Sequence, residues 1–116
     1  MKKILVVEDN PLNQRLFFDV LTAFGAHIIK AKTGKQALQK FQKTHPDLIL
    51  MDIALPDMTG VELFKCIRTQ KNGKHIPIVA TTAFCLPQEI ATLYKLGFKK
   101  ILLKPINIQA LKELCE

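Results

Sequence analysis

The stretch that most limits what this chain can fold into is Leu48-Ile49-Leu50-Met51-Asp52-Ile53-Ala54-Leu55-Pro56-Asp57. Four consecutive apolar residues with no helical period read as a strand buried on both faces, the kind found in parallel sheets with helices above and below. The run stops on Asp52 and passes into a proline-containing turn. An acid at the end of such a strand sits at the edge of the core, where partial desolvation strengthens each charge interaction it makes. A lone Asp there ordinarily caps a turn and no more. The other strand ends decide whether Asp52 does something else.

Ile4 to Val7 reads as a first strand and stops at Glu8-Asp9-Asn10-Pro11. Asn10 is a good N-cap and Pro11 suits the first helical position. Leu12, Leu16, Val20 and Phe24, with Phe17 and Leu21, then form an apolar stripe at helical spacing that Gly25 closes. Ala26 to Ala31 is a short second strand whose His27 and Lys30 suggest a sheet edge. Thr33 caps a second helix with Ala37, Leu38 and Phe41 facing inward. The strand Leu48 to Met51 follows, and Asp57-Met58-Thr59-Gly60 leads into a third helix ending near Arg68, with Leu63, Phe64 and Ile67 buried. Lys71 to Lys74 reads as a flexible surface turn, and Ile76 to Ala80 as a fourth strand ending in Thr81-Thr82-Ala83. Pro87 opens a fourth helix with Ile90, Leu93 and Tyr94 on its inner face and Gly97 at its end. Ile101 to Leu103 is the fifth strand, closed by Lys104-Pro105. Ile108, Leu111 and Leu114 mark a short final helix.

Five strands alternating with five helices through short connections imply right-handed βαβ crossovers and an α/β fold, a parallel sheet between two helical layers. The expected strand order is 2-1-3-4-5, flavodoxin-like and doubly wound, in a single domain spanning residues 1–116. Ligands of such sheets bind beyond the carboxyl ends of the strands, where the strand order reverses. That reversal places Glu8 and Asp9 beside Asp52, with Thr81, Thr82 and Lys104 following on the neighbouring strands.

Composition narrows the function. No apolar stretch approaches the ~18 residues of a membrane span, and the residues after Met1 do not form a signal peptide, so a cytoplasmic protein is expected. Met1 just before the first strand fits a natural start. Cys66, Cys85 and Cys115 are too scattered for a disulfide framework or a CxxC metal knuckle. The formal charge of +7 favours acidic partners. With one Tyr, no Trp and no nucleic-acid motif, the lysines read as a solvated surface, and direct nucleic-acid binding is not expected.

Three carboxylates converging without compensation repel one another and raise at least one pKa. Lys104 supplies one positive charge. Oxygen-rich clusters with one or two carboxylates also hold Mg²⁺, which keeps several waters and readily takes a phosphate oxygen. That arrangement suits phosphoryl transfer, with Asp52 as a carboxylate nucleophile.

Four motifs in order, Ile4-Leu-Val-Val-Glu-Asp-Asn10, Leu48 through Gly60, Ile76-Pro-Ile-Val-Ala-Thr-Thr-Ala83 and Leu102-Leu-Lys-Pro-Ile106, resemble the receiver domain of two-component response regulators. The Glu-Asp-Asn-Pro-Leu-Asn opening and Thr-Ala-Phe resemble in particular single-domain regulators of the DivK type and the receivers of hybrid histidine kinases. The resemblance covers the whole chain and implies the following roles. Asp52 would accept a phosphoryl group from a phosphohistidine on a histidine kinase or histidine phosphotransfer protein, and phosphorylation would alter binding to a protein target. Asp9 and Asp52, with the backbone carbonyl of Ala54, would ligate Mg²⁺, and Glu8 would act through bound water. Lys104 would pair with the phosphoryl oxygens, Thr82 would hydrogen-bond to them, and Pro105 would follow a cis peptide bond. Such a protein is not an enzyme in the ordinary sense.

Two positions depart from the family pattern. Ile101 stands where the family carries an aromatic switch residue three before the lysine, so coupling of that residue to Thr82 takes some other form. The final helix, residues 107–116, is short for the family. Ala54 and Phe84, two residues beyond Asp52 and Thr82, flank the expected path of the attacking water. Neither orients it, so slow self-dephosphorylation is expected. The competing readings are an aspartyl-phosphate phosphatase, which wants a second acid where Ala54 stands, and a receiver-like docking scaffold that is never phosphorylated. A flavin or nucleotide binder would want glycines where Glu8 and Asp9 stand.

Overall fold

The computed structural model describes residues 2–83 and 85–116. Its elements alternate without exception: β1 (Lys3–Val7), α1 (Pro11–Ala23), β2 (His27–Ala31), α2 (Gly34–Thr44), β3 (Leu48–Asp52), α3 (Gly60–Thr69), β4 (Ile78–Thr82), α4 (Pro87–Leu96), β5 (Lys100–Leu103) and α5 (Ile108–Leu114). The five strands are parallel, in the order β2-β1-β3-β4-β5.

Alternation within each apolar run explains how one sheet serves two layers, because successive strand side chains point to opposite faces. Leu5, Val7, Ile49 and Met51 enter the core beneath α2, α3 and α4, with Phe41, Leu63 and Ile67. Ile4, Val6, Leu48 and Leu50 enter the core beneath α1 and α5, with Phe17, Leu21 and Leu111. Burial on both sides is why these strands carry continuous apolar runs rather than an apolar-polar alternation.

Helix starts follow local chemistry. Asn10 caps α1 through its side-chain oxygen, which accepts from the Leu12 and Asn13 amides, and Pro11 takes the first helical position. Thr59 and Glu62 form a reciprocal capping box on α3. Gly25 ends α1 at φ 92° and Gly97 ends α4 at φ 125°, conformations that cost a side chain dearly.

Four expectations need correction. On α1 the buried residues are Gln14, Phe17 and Leu21, while Leu12 is 81% exposed and Leu16 and Phe24 also face solvent. The apolar stripe runs off the buried face because the sheet here is met by a row that includes Gln14. On α4, Leu93 is buried but Tyr94 faces out, its hydroxyl accepting a hydrogen bond from the Ile101 amide at 3.2 Å. β4 begins at Ile78 rather than Ile76, because Pro77 brings no amide to the ladder, and it continues through Thr81 and Thr82. The turn at Lys71 to Lys74 is not loose: Gly73 is buried, and its carbonyl and that of Ile76 both accept from Arg68 Nη1, at 2.9 and 2.8 Å. The three cysteines are free and half-buried. Among the described residues no helix is long and apolar enough to cross a membrane.

Candidate functional site

Parallel strands deliver their carboxyl ends to one rim of the sheet, and the chain places its charged residues there. Glu8 follows β1, Asp52 ends β3, Thr82 ends β4 and Lys104 follows β5. One carboxylate oxygen from each of Glu8, Asp9 and Asp52 lies within 4.8 Å of the others. Lys104 bridges two of the three acids, its ammonium 2.8 Å from Glu8 Oε1 and 2.8 Å from Asp52 Oδ2.

The backbone fixes the rest. Asn10 N donates to Glu8 Oε2 at 3.1 Å, and Ala54 N donates to Asp52 Oδ1 at 3.0 Å. Asp52 pairs in register with Thr81, and Thr82 with Leu103. The Lys104 amide donates to the Thr82 carbonyl at 2.8 Å, which ties the lysine to the end of β4. The Lys104-Pro105 peptide is cis, as the resemblance implied. Ile101 is half-buried on β5 against the larger core, and Ala54 is exposed beside Asp52. Phe84 lies outside the described residues.

Burial is the main influence on Glu8, whose side chain is 1% exposed, and it pushes the carboxyl above its ordinary pKa. The charge of Asp52 adds to this, while Lys104 and the Asn10 amide oppose it. Mutual repulsion, expected from sequence to raise a pKa in this group, is thus the smaller cause. Burial also works against the Lys104 ammonium, but its hydrogen bonds to Asp52 and Glu8 outweigh it and hold its pKa above the usual value.

A raised carboxyl pKa in the fold means that ionising Glu8 costs stability. The folded state gains most from Glu8 below its unfolded pKa, near 4.5, and loses that gain as pH rises through the higher folded value. With a chelator present, Glu8→Gln is therefore expected to melt higher than wild type at pH 7, with the difference shrinking as pH falls toward 4.5. Melting curves that keep a constant gap over this range would refute the assignment.

Sequence reasoning overlooked two residues that hold the site loops. Asp57 reaches from the β3–α3 connection to the start of α2, where its two oxygens accept from Gly34 N at 2.8 Å and Lys35 N at 3.0 Å. Those bonds, Gly34 first, hold its carboxyl below the usual range. Gln14, buried on α1, donates to the carbonyls of Glu8 and Ala31. Its signal was present in the sequence, since Gln14, Phe17 and Leu21 share one helical face at i, i+3, i+7.

The chain is thus a doubly wound α/β domain with an acidic group and a lysine gathered at the carboxyl ends of its strands. The chain belongs to the response regulator receiver domain family of two-component signalling, whose profile matches residues 4–116. It is 38% identical over 107 residues to the polar-differentiation response regulator DivK of Brucella ovis, covering 92% of this chain and 87% of that protein. The chemotaxis response regulator CheY4 of Vibrio cholerae superposes with a TM-score of 0.91 at 32% identity, covering 98% of this chain and 95% of that one. The receiver domain of a sensor histidine kinase from Pseudomonas aeruginosa, described with a magnesium ion coordinated in its active-site cleft, gives 0.88 at 33% identity, over 98% of this chain and 93% of that one.

Proposed function

We propose that Asp52 is the phosphoacceptor of a two-component phosphorelay, and that its phosphorylated state changes affinity for a protein partner. The observation that carries this reading is the convergence of Glu8, Asp9 and Asp52 around a single lysine. Three acids against one ammonium leave negative charge in excess, and the donors are hard oxygens, a set that fits Mg²⁺. Asp9, Asp52 and the Ala54 carbonyl would hold the ion directly and Glu8 through water; when bound it would neutralise charge on the transferred phosphoryl group.

A carboxylate oxygen of Asp52 attacks phosphorus as the bond to the donor imidazole breaks. The electron pair stays on that nitrogen. Lys104, already 2.8 Å from Asp52, turns its ammonium from carboxylate to phosphoryl oxygen, and Thr82 donates its hydroxyl to another. Loss of the phosphoryl group is slow in this reading, since Ala54 presents only a methyl group to incoming water. The partner response is a shift between two populations of the domain, driven by phosphoryl contacts available in one of them.

The donor needs a surface, and α1 provides one. Leu12, 81% exposed, and Leu16, 45% exposed, lie on the first turns after Asp9 and leave apolar surface open to solvent there. They suit an apolar helical face carrying the phosphohistidine. Leu12→Asp with Leu16→Asp is expected to slow transfer from a phosphohistidine protein about tenfold or more. Labelling by acetyl phosphate, which docks on no surface, stays within about twofold; equal loss from both donors would refute the assignment. The central test is uptake of label from acetyl phosphate with and without Mg²⁺, and label that ignores the metal removes the proposal.

A further inference from the structure

Glu8 and Asp52 are each held by side-chain partners, but Asp9 is not. Its side chain is exposed, and among the described residues no hydrogen bond reaches its carboxylate. Its place in the acidic group therefore rests on the backbone either side of it. On the far side, the Asn10 amide is tied to Glu8 Oε2. On the near side, the Glu8 carbonyl accepts from Gln14 Nε2 at 3.1 Å.

Gln14 is an odd residue for this position. It is 6% exposed, on the face of α1 that also carries Phe17 and Leu21, and its Oε1 has no partner. A buried amide oxygen without a donor is a standing cost, which an apolar side chain of similar size would avoid. What the amide nitrogen holds accounts for its presence. Besides the Glu8 carbonyl, Nε2 reaches the Ala31 carbonyl at 3.2 Å, which also accepts from the Glu8 amide at 3.0 Å. One NH₂ group thus joins the ends of β1 and β2 to α1 and fixes the plane of the peptide leading into Asp9.

We propose that Gln14 is a positioning residue for divalent-cation binding: by clamping the Glu8 and Ala31 carbonyls it holds the otherwise unsupported Asp9 carboxylate against Asp52. This rests on the reading of Asp9 as a ligand of Mg²⁺. Residues that orient metal ligands from behind typically change metal affinity 10–100-fold when replaced.

Mg²⁺ is titrated calorimetrically into wild type, Gln14→Met, Asp9→Asn and the double variant, with thermal melting of each. Gln14→Met is expected to bind Mg²⁺ about tenfold more weakly. The double variant should match Asp9→Asn alone within about twofold, because a clamp acting through Asp9 has nothing left to position. Phe41→Leu, a core change on α2, should lower the melting temperature without altering affinity, which separates positioning from general loosening. Gln14→Leu takes the place of Gln14→Met if the latter fails to fold. Wild-type affinity in Gln14→Met, or an undiminished further loss on the Asp9→Asn background, overturns the inference and leaves the metal site standing. Wild type that binds no Mg²⁺, or Asp9→Asn that binds it as well as wild type, overturns both.

Discussion

Asp52→Asn is expected to take up no phosphoryl group from any donor, a fall of at least about 100-fold to the limit of detection. The substitution removes the nucleophile and one carboxylate of the proposed metal site, but little that holds the fold. An asparagine side-chain oxygen can still accept from the Ala54 amide, now satisfied by Asp52 Oδ1. Its NH₂ would face the Lys104 ammonium, donor against donor, so that bond is lost, yet Lys104 keeps its partner at Glu8 Oε1. One negative charge fewer also relieves the excess among the three acids. Circular dichroism and melting should therefore stay close to wild type while labelling vanishes. A variant that still takes label at the wild-type rate would move the acceptor elsewhere and end the proposed assignment.

Gly73→Ala should be the most damaging small substitution in the chain. A Cβ at Gly73 would lie 1.8 Å from the Ile67 carbonyl oxygen and 2.9 Å from its carbon. Both atoms belong to helix backbone, so no side-chain rotation relieves the clash. The backbone of Gly73 is not in the left-handed region; space alone demands glycine. The turn cannot retreat cheaply, because Arg68 holds the Gly73 and Ile76 carbonyls while its guanidinium stacks 4.6 Å from the centre of the Phe64 ring. Phe64 in turn packs against Phe98, ring centres 4.5 Å apart. We expect a loss of about 3 kcal/mol or more, against a total stability of roughly 5–15 kcal/mol for a domain of this kind. In a thermal melt that is a drop of roughly 10 °C or more. A midpoint within about 2 °C of wild type would show that the turn yields, against the rigid clamp described above.

Elements and site differed in how far the sequence announced them. Strand cores, their order and the convergence of Glu8, Asp9, Asp52 and Lys104 were legible, because each depends on a local pattern: an apolar run that ends abruptly on charge at the carboxyl end of a buried strand. Tertiary partners were not legible. The face that buries Gln14 could be read from its spacing with Phe17 and Leu21, but not the Glu8 and Ala31 carbonyls that its amide meets, which come from the ends of two different strands. Counting apolar residues therefore put Leu12 and Leu16 in the apolar stripe of α1, although Gln14, Phe17 and Leu21 form the row that meets the sheet. Tyr94 was misplaced for a related reason: its ring looks like core material, but its hydroxyl finds the Ile101 amide at the protein surface. The turn at Gly73 looked loose because four polar or small residues in a row ordinarily are, and only Arg68, from the helix before it, fastens it.

Asp57 gives the loop after Asp52 an unexpected reporter. Amides in the first turn of a helix have no partner within that helix and usually exchange freely with solvent. Those of Gly34 and Lys35 are instead held by a carboxylate from the connection between β3 and α3. Their deuterium exchange therefore times the opening of a loop that belongs to a different βα unit. If Asp52 takes up a phosphoryl group as proposed, any tightening or release of that loop would be registered at the start of α2, in two amides that do not themselves contact Asp52.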